Sequence, residues 1–126
     1  MGLLSQYLVV SVDDDYGVRE SVRNLLESAG YTPEVFSSCE EFLQAGMLAK
    51  ASCLILDVRM PGMDGIELQR RVRQERPALP VIFVSAHSEK ETRYRALSGG
   101  AIDFLYKPFD GANLLETIYR AVTAGG

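Results

Sequence analysis

The chain has 126 residues, of which 47% are hydrophobic and 24% charged, and its formal net charge is -4 at pH 7. This length suffices for one domain with a buried core, so we predict a single domain over 1–126 with its core at about 7–122. The acidic balance argues against direct contact with nucleic acid. No apolar stretch approaches the roughly 20 residues that cross a bilayer, which predicts a cytoplasmic protein without membrane contact.

Short β-rich runs alternate along the chain with segments in which apolar residues recur at helical spacing. The predicted strands are 7–12, 32–36, 52–57, 80–85 and 102–106. The apolar face of the first helix comprises Val18, Val22, Leu25, Leu26 and Ala29, and that of the last comprises Leu114, Leu115, Ile118 and Val122. Strands that alternate with helices predict an α/β fold, with a parallel sheet covered by helices on both faces.

Several helix ends are marked by residues with strong local preferences. Capping-box spacing occurs at Ser38 with Glu41 and at Ser88 with Glu91, and Asp64 and Glu67 can cap a third helix that runs to about Arg76. Gly30 and the pair Gly99–Gly100 predict the ends of two helices. Pro33 suits the start of its strand or an edge of the sheet. Of the two cysteines, Cys53 lies in an apolar stretch that predicts a buried thiol.

Polar residues gather where the predicted strands end. The first strand is followed by Asp13, Asp14 and Asp15, the third ends at Asp57, the fourth ends at Ser85, and the fifth leads to Lys107 and Pro108. In open parallel sheets, ligands bind beyond the carboxyl ends of the strands, where the strand order reverses. If the order is 2-1-3-4-5, the first and third strands are neighbours, and their carboxylates converge on one cleft.

Such a group of carboxylates favours a metal ion and phosphoryl chemistry. Two carboxylates about 4 Å apart repel by roughly 4 kcal/mol at a near-surface dielectric, and a divalent cation between them offsets that cost. Oxygen ligands favour Mg²⁺ over zinc. A carboxylate beside Mg²⁺ and the ammonium of Lys107 can act as a nucleophile that forms an aspartyl-phosphate, and the Ser85 hydroxyl can donate a hydrogen bond to the same group.

Four motifs in this order resemble the receiver domain of bacterial response regulators. They are VDDD after the first strand, LDVRMPGMDG, VSA and GGAIDFLYKPF, and the resemblance covers Tyr7 to Val122. It implies a flavodoxin-like (βα)5 fold, a doubly wound parallel sheet with strand order 2-1-3-4-5. It also implies a two-component phosphoacceptor that catalyses only its own phosphorylation and dephosphorylation.

The resemblance implies specific roles at the phosphorylation site. Asp57 would accept a phosphoryl group from a phosphohistidine of a sensor histidine kinase. Asp13, Asp14, Asp57 and the backbone carbonyl of Arg59 would bind Mg²⁺. Lys107 would contact the phosphoryl group, with the Lys107–Pro108 peptide in the cis form.

The resemblance also implies how the phosphorylated state is transmitted. The Ser85 hydroxyl would move toward the phosphate and the Phe104 ring would follow it inward, by packing alone because Phe lacks the hydroxyl of Tyr. The surface of the fourth helix, fifth strand and fifth helix would transmit the state, and a phosphorylation-dependent homodimer is one form that the resemblance allows. Arg59 and His87 lie at positions that tune the phosphoryl lifetime. The motif DVRMPGMDG is typical of transcription regulators with a helix-turn-helix output domain, so the controlled output is expected to be a missing or separate DNA-binding part.

Structural explanations compete for some of these residues. Asp15 is expected to cap the first helix, His87 to be an exposed loop residue, and Phe104 has an equal claim to be plain core. A solvated helix face is expected for Arg70, Arg71, Arg73 and Arg76.

Other functions of the same fold fit the sequence less well. Three aspartates after the first strand would repel the bare phosphate of a flavodoxin-like cofactor. An aspartyl phosphatase needs a second acid two residues after the first, where this chain has Arg59. The alternative left open is a receiver-like interaction module that works without phosphorylation, although such a module has no need of an unfavourable acidic cleft.

Overall fold

The computed structural model describes residues 3–87 and 89–124. Its five strands form one parallel sheet in the order β2-β1-β3-β4-β5. The strands are β1 (Leu8–Val12), β2 (Thr32–Phe36), β3 (Cys53–Leu56), β4 (Val81–Ser85) and β5 (Asp103–Tyr106). The helices are α1 (Tyr16–Ser28), α2 (Cys39–Gln44), α3 (Gly65–Glu75), α4 (Lys90–Ser98) and α5 (Gly111–Ala124), with 3₁₀ turns at Leu3–Gln6 and Met47–Ala49. The predicted fold class and strand order are confirmed.

Two apolar layers enclose the sheet, one on each face. Side chains alternate along β1, so that Val9 packs with α1 and α5 while Val10 packs with α2, α3 and α4. The central strands β3 and β4 are buried along their whole length. That burial explains their unbroken apolar sequence, which is typical of parallel strands covered on both faces.

The predicted helix ends differ in how closely the structure follows them. Asp64 and Glu67 form a complete capping box at α3. Ser38 caps α2, but the Glu41 carboxylate accepts the backbone N–H of Ser37 instead of that of Ser38. The cap residue of α4 is Glu89, and the predicted cap Ser88 lies outside the described residues.

Glycines end two helices as predicted, and a proline lies at the sheet edge. Gly30 (φ 94°) and Gly100 (φ 104°) adopt the left-handed conformation just after α1 and α4. Pro33 lies in β2, which is an edge strand that pairs only with β1 in the sheet. A proline is tolerated there because an edge strand has one side without a neighbouring strand that needs its N–H.

Cys53 lies where the sequence predicts it, whereas Arg76 does not. Cys53 is buried and free as predicted, and burial raises the pKa of its thiol to about 12. The expectation of a solvated arginine face is wrong for Arg76, whose guanidinium donates to the backbone carbonyls of Leu48 and Ala51 at 3.0 and 2.7 Å. Over residues 3–87 and 89–124, none of the helices has both the length and the apolar character to cross a bilayer.

Candidate functional site

The acidic end of the site is built by two neighbouring strands that end side by side. The hydrogen-bonding pattern of the sheet continues one residue past each strand. Asp57 donates its backbone N–H to Val12 O at 3.1 Å, and Asp13 donates its own to Phe36 O at 3.1 Å. Both carboxylates therefore project from backbone that the sheet itself holds in place.

The other side of the site comes from β4 and the loop that follows β5. The backbone N–H of Lys107 donates to Ser85 O at 2.9 Å, and the Lys107–Pro108 peptide is cis, as the resemblance implied. Ser85 is completely buried, and its Oγ accepts the backbone N–H of His87 at 3.1 Å. Within the part of the chain that the structure describes, its hydroxyl proton has no acceptor and can be donated to a ligand.

Three aspartates meet in a single pocket. Asp13 and Asp57 are only 2% and 7% exposed, whereas Asp14 is exposed. One carboxylate oxygen from each lies within 4.8 Å of the others. Lys107 Nζ reaches into the same pocket, 2.8 Å from Asp13 Oδ2 and 3.1 Å from Asp57 Oδ2. The structure thus brings together the four side chains whose strand-end positions predicted a common cleft.

Each buried carboxylate divides its two oxygens between the lysine and a backbone N–H. Asp57 Oδ1 accepts from Val58 N at 2.7 Å, and Asp13 Oδ1 accepts from Asp15 N at 2.9 Å. Their Oδ2 atoms face Lys107. Both carboxylates are therefore oriented before any ligand binds.

Burial and charge shift the pKa values of this pocket. Burial raises the pKa of Asp13 and the negative charge of Asp57 adds to the effect, against the opposing hydrogen bonds from Lys107 and Asp15. Burial by itself would lower the pKa of Lys107. The hydrogen bond to Asp13 and the charges of both carboxylates outweigh it, so that pKa is raised and the lysine stays an ammonium.

The remaining predicted residues lie around this pocket in different settings. Phe104 is 3% exposed and stacks on Phe83 with ring centroids 5.9 Å apart, so the aromatic member of the expected switch pair is a core residue in this conformation. Asp15 caps α1 by accepting the backbone N–H of Val18. His87 is a loop residue, as expected, but half-buried. The Arg59 guanidinium makes an ion pair with Glu89 at 3.0 Å.

Two residues that support the loop after β3 had no assigned role from the sequence. A β-carbon at Gly65 would collide with the backbone oxygen of Asp57 and lie 3.1 Å from the Phe83 ring, so only glycine fits there. The Glu40 carboxylate accepts the backbone N–H of Met63 at 2.8 Å. The two glycines that follow Asp57, Gly62 and Gly65, were the available sequence signal for the role of Gly65. No local pattern marks Glu40.

A parallel sheet with an acidic pocket at its reversal of strand order, and a lysine reaching into it, defines a class of phosphoryl-accepting α/β domains. Comparison with known proteins agrees. Residues 9–119 match the family described as response regulator receiver domain. The chain belongs to that family, as the sequence motifs indicated.

Individual relatives are similar over nearly the whole chain. Nodulation protein W of Bradyrhizobium diazoefficiens is 40% identical over 114 residues, which are 90% of this chain and 50% of that protein. Transcriptional regulatory protein FixJ of the same organism is 37% identical over 111 residues, 88% of this chain and 54% of FixJ. The solved structure of response regulator StyR is 42% identical with a TM-score of 0.85, covering 94% of this chain and 60% of that one. The chain thus spans about half the length of the curated relatives it matches.

Proposed function

We propose that this receiver domain takes a phosphoryl group from a phosphohistidine of a sensor histidine kinase onto Asp57. The observation that carries the proposal is the pocket itself. Carboxylate oxygens of Asp13, Asp14 and Asp57 lie within 4.8 Å of one another. The Lys107 ammonium lies 3.1 Å from Asp57 Oδ2. A nucleophile, a cation site and a fixed positive charge are thereby combined in one place.

The donor set of the pocket fits Mg²⁺. All three candidate side chains offer carboxylate oxygens, and Asp14 is exposed, which leaves room for the water ligands that Mg²⁺ retains. Asp13, Asp14, Asp57 and the backbone carbonyl of Arg59 are the proposed protein ligands. When bound, the metal neutralises negative charge on the phosphoryl oxygens during transfer.

The residues of the chain account for the transfer itself. An Asp57 carboxylate oxygen forms the new P–O bond while the P–N bond of the donor breaks and its electron pair returns to the imidazole. Lys107 moves its hydrogen bond from Asp57 Oδ2 to a phosphoryl oxygen, and Ser85 donates its free hydroxyl proton to another. Phe104 then repacks toward the space that the Ser85 hydroxyl leaves.

The output of the whole protein is proposed from its relatives. FixJ is named a transcriptional regulatory protein, which supports control of transcription through a DNA-binding part outside this chain. The surface of α4, β5 and α5 carries two exposed tyrosines that lie near each other, Tyr94 and Tyr106, and would transmit the state to a partner or a second copy. In this proposal residues 1–126 act as one cytoplasmic domain, with a core at about 7–122 and no enzymatic activity beyond its own phosphorylation and dephosphorylation.

The proposal is tested by incubating the chain with acetyl phosphate and Mg²⁺ and measuring its intact mass. We expect a gain of one phosphoryl group, which Asp57→Asn abolishes and EDTA prevents. Asp110→Asn removes an exposed carboxylate outside the pocket and should leave the gain unchanged. Labelling of Asp57→Asn would place the acceptor elsewhere. No gain in the unaltered chain would contradict the proposal and favour an interaction module that works without phosphorylation.

A further inference from the structure

One exposed ion pair joins the two loops that border the phosphoacceptor pocket. Arg59 Nη2 lies 3.0 Å from Glu89 Oε1, with side chains 58% and 52% exposed. Arg59 follows Asp57 by two residues in the loop after β3, and Glu89 is the residue that precedes the first turn of α4. The pair therefore connects the edge of the pocket to the beginning of a helix.

The start of α4 has few other constraints on its position, because the contact from α3 reaches its C-terminal half, where Gln69 Nε2 donates to Ala96 O at 2.7 Å. Ala96 is its one buried residue, and within 89–98 no side chain caps the start of the helix. The Glu89 carboxylate does not cap that end and instead accepts a hydrogen bond from Arg59 Nη2. By contrast, α3 has a complete capping box and five buried residues. The Arg59–Glu89 pair thus contacts α4 at its otherwise uncapped start.

A phosphoryl group on Asp57 would compete directly for Arg59. It adds between about 1.5 and 2 negative charges and three strong acceptor oxygens. A guanidinium binds such a group through two parallel hydrogen bonds, which a single-contact pair with a carboxylate does not match. Exposed ion pairs contribute little to stability, so the contact with Glu89 is easily exchanged.

We propose that Arg59 is a positioning residue that changes partners on phosphorylation. It holds Glu89 in the unphosphorylated domain and moves to the phosphoryl group once that group is formed, which frees Glu89 and the first turn of α4. This inference rests on the proposed function, because it requires a phosphoryl group on Asp57. It assigns opposite effects to two oppositely charged residues: Arg59 favours the phosphorylated state, and Glu89 opposes it only by occupying Arg59.

The test is a double-mutant cycle that measures the affinity for beryllium trifluoride with Mg²⁺, a mimic of the phosphoryl group, by titration in calorimetry. Glu89→Gln should raise the affinity by up to about fivefold, and Arg59→Gln should lower it by a similar factor. In the Arg59→Gln background, Glu89→Gln should leave the affinity for the mimic unchanged, because Glu89 then has no guanidinium to hold away from the phosphoryl site. Arg59→Lys should restore part of the affinity that Arg59→Gln loses. Without the mimic, amide NMR shifts of residues 90–94 should move toward the ligand-bound positions in both Glu89→Gln and Arg59→Gln, because either change breaks the pair.

The matched control is Glu75→Gln, which removes another exposed pair, Arg71 with Glu75 at 2.6 Å, from a helix face outside the pocket. It should leave the affinity unchanged. An equal gain from Glu89→Gln with and without Arg59 would mean that Glu89 repels the mimic directly, and would overturn the inference. So would a Glu89→Gln variant with unaltered affinity. Failure of the unaltered chain to bind the mimic, together with no mass gain from acetyl phosphate, would overturn the proposed function itself.

Discussion

Lys107 and Asp13 are separated by 94 positions in the chain, yet Lys107 Nζ lies 2.8 Å from Asp13 Oδ2. Two strands, β3 and β4, lie between β1 and β5 in the sheet. The contact therefore spans the carboxyl edge of the sheet and closes the pocket around Asp57. It also leaves an ammonium to offset the repulsion between two nearly buried carboxylates.

Loss of this ammonium should destabilise the fold. In Lys107→Ala, Asp13 and Asp57 remain close together without their cation, and breaking a buried pair in this way lowers the free energy of unfolding by about 3 kcal/mol. Urea denaturation in EDTA measures the loss, and added Mg²⁺ should recover part of it. Arg71→Ala, which removes an exposed pair, should cost less than about 1 kcal/mol. A Lys107→Ala loss as small as that of the control would show that the carboxylates do not repel strongly.

Asp13 should make the stability of the metal-free protein depend on pH. Burial, with the charge of Asp57, raises the pKa of Asp13 above its ordinary value of 3.8, so the folded protein binds this proton more tightly than the unfolded chain. Its contribution to stability is complete below pH 3.8 and is lost as the pH rises through the raised pKa. Asp13→Asn has no such loss, so its free energy of unfolding relative to the unaltered chain should increase over that range.

Urea denaturation of both proteins in EDTA, at several pH values from 3.5 to about 7, tests this. The role assigned to burial would be contradicted if the difference in free energy of unfolding between Asp13→Asn and the unaltered chain stayed constant with pH. It would also be contradicted if Asp13→Asn became less stable relative to the unaltered chain as the pH rises.

Gly65 should not tolerate a side chain. In Gly65→Ala the new methyl group meets the backbone oxygen of Asp57, which forces the loop after β3 to move. Overpacking against backbone should lower the free energy of unfolding by more than about 2 kcal/mol and reduce phosphorylation of Asp57. Gly46→Ala is the control, because Gly46 has a φ of 72° but open space around its β-carbon position. It should cost only about 1–2 kcal/mol, from the backbone conformation alone, and leave phosphorylation intact. Equal phosphorylation in the two variants would mean that the close approach at Gly65 does not position Asp57.

The buried hydroxyl of Tyr31 should contribute nothing favourable. Within residues 3–87 and 89–124, Tyr31 Oη has no hydrogen-bond partner, although the side chain is buried in the layer that contains α1 and α5. Tyr31→Phe removes an unsatisfied polar group and should be neutral or stabilise the fold by about 1 kcal/mol. Thr117→Val is the comparison, since the buried Thr117 hydroxyl donates to Asn113 O at 2.9 Å, and it should destabilise. Thermal unfolding of both variants distinguishes the cases, and a destabilised Tyr31→Phe would indicate a bound water at the hydroxyl.

Local sequence patterns determined the architecture of this protein. Buried parallel strands require unbroken apolar runs and surface helices require an apolar stripe, so both kinds of element are visible without knowledge of their partners. Charges at strand ends are costly unless they meet a ligand, which is why Asp13 and Asp57 stood out as site residues. The capping box of Asp64 and Glu67 was equally predictable, because both of its hydrogen bonds lie within four residues.

Tertiary structure decided what depends on long-range contacts and side-chain conformation. Three features of this kind depend on contacts between segments at least 20 residues apart. They are the packing of Phe104 on Phe83, the two backbone contacts of Arg76, and the ion pair of Arg59 with Glu89, which are 30 residues apart. A long, flexible arginine has the same local sequence whether its guanidinium meets water, a carbonyl or a carboxylate. Its choice among them is made by whatever the fold places within reach, and no local pattern contains that information.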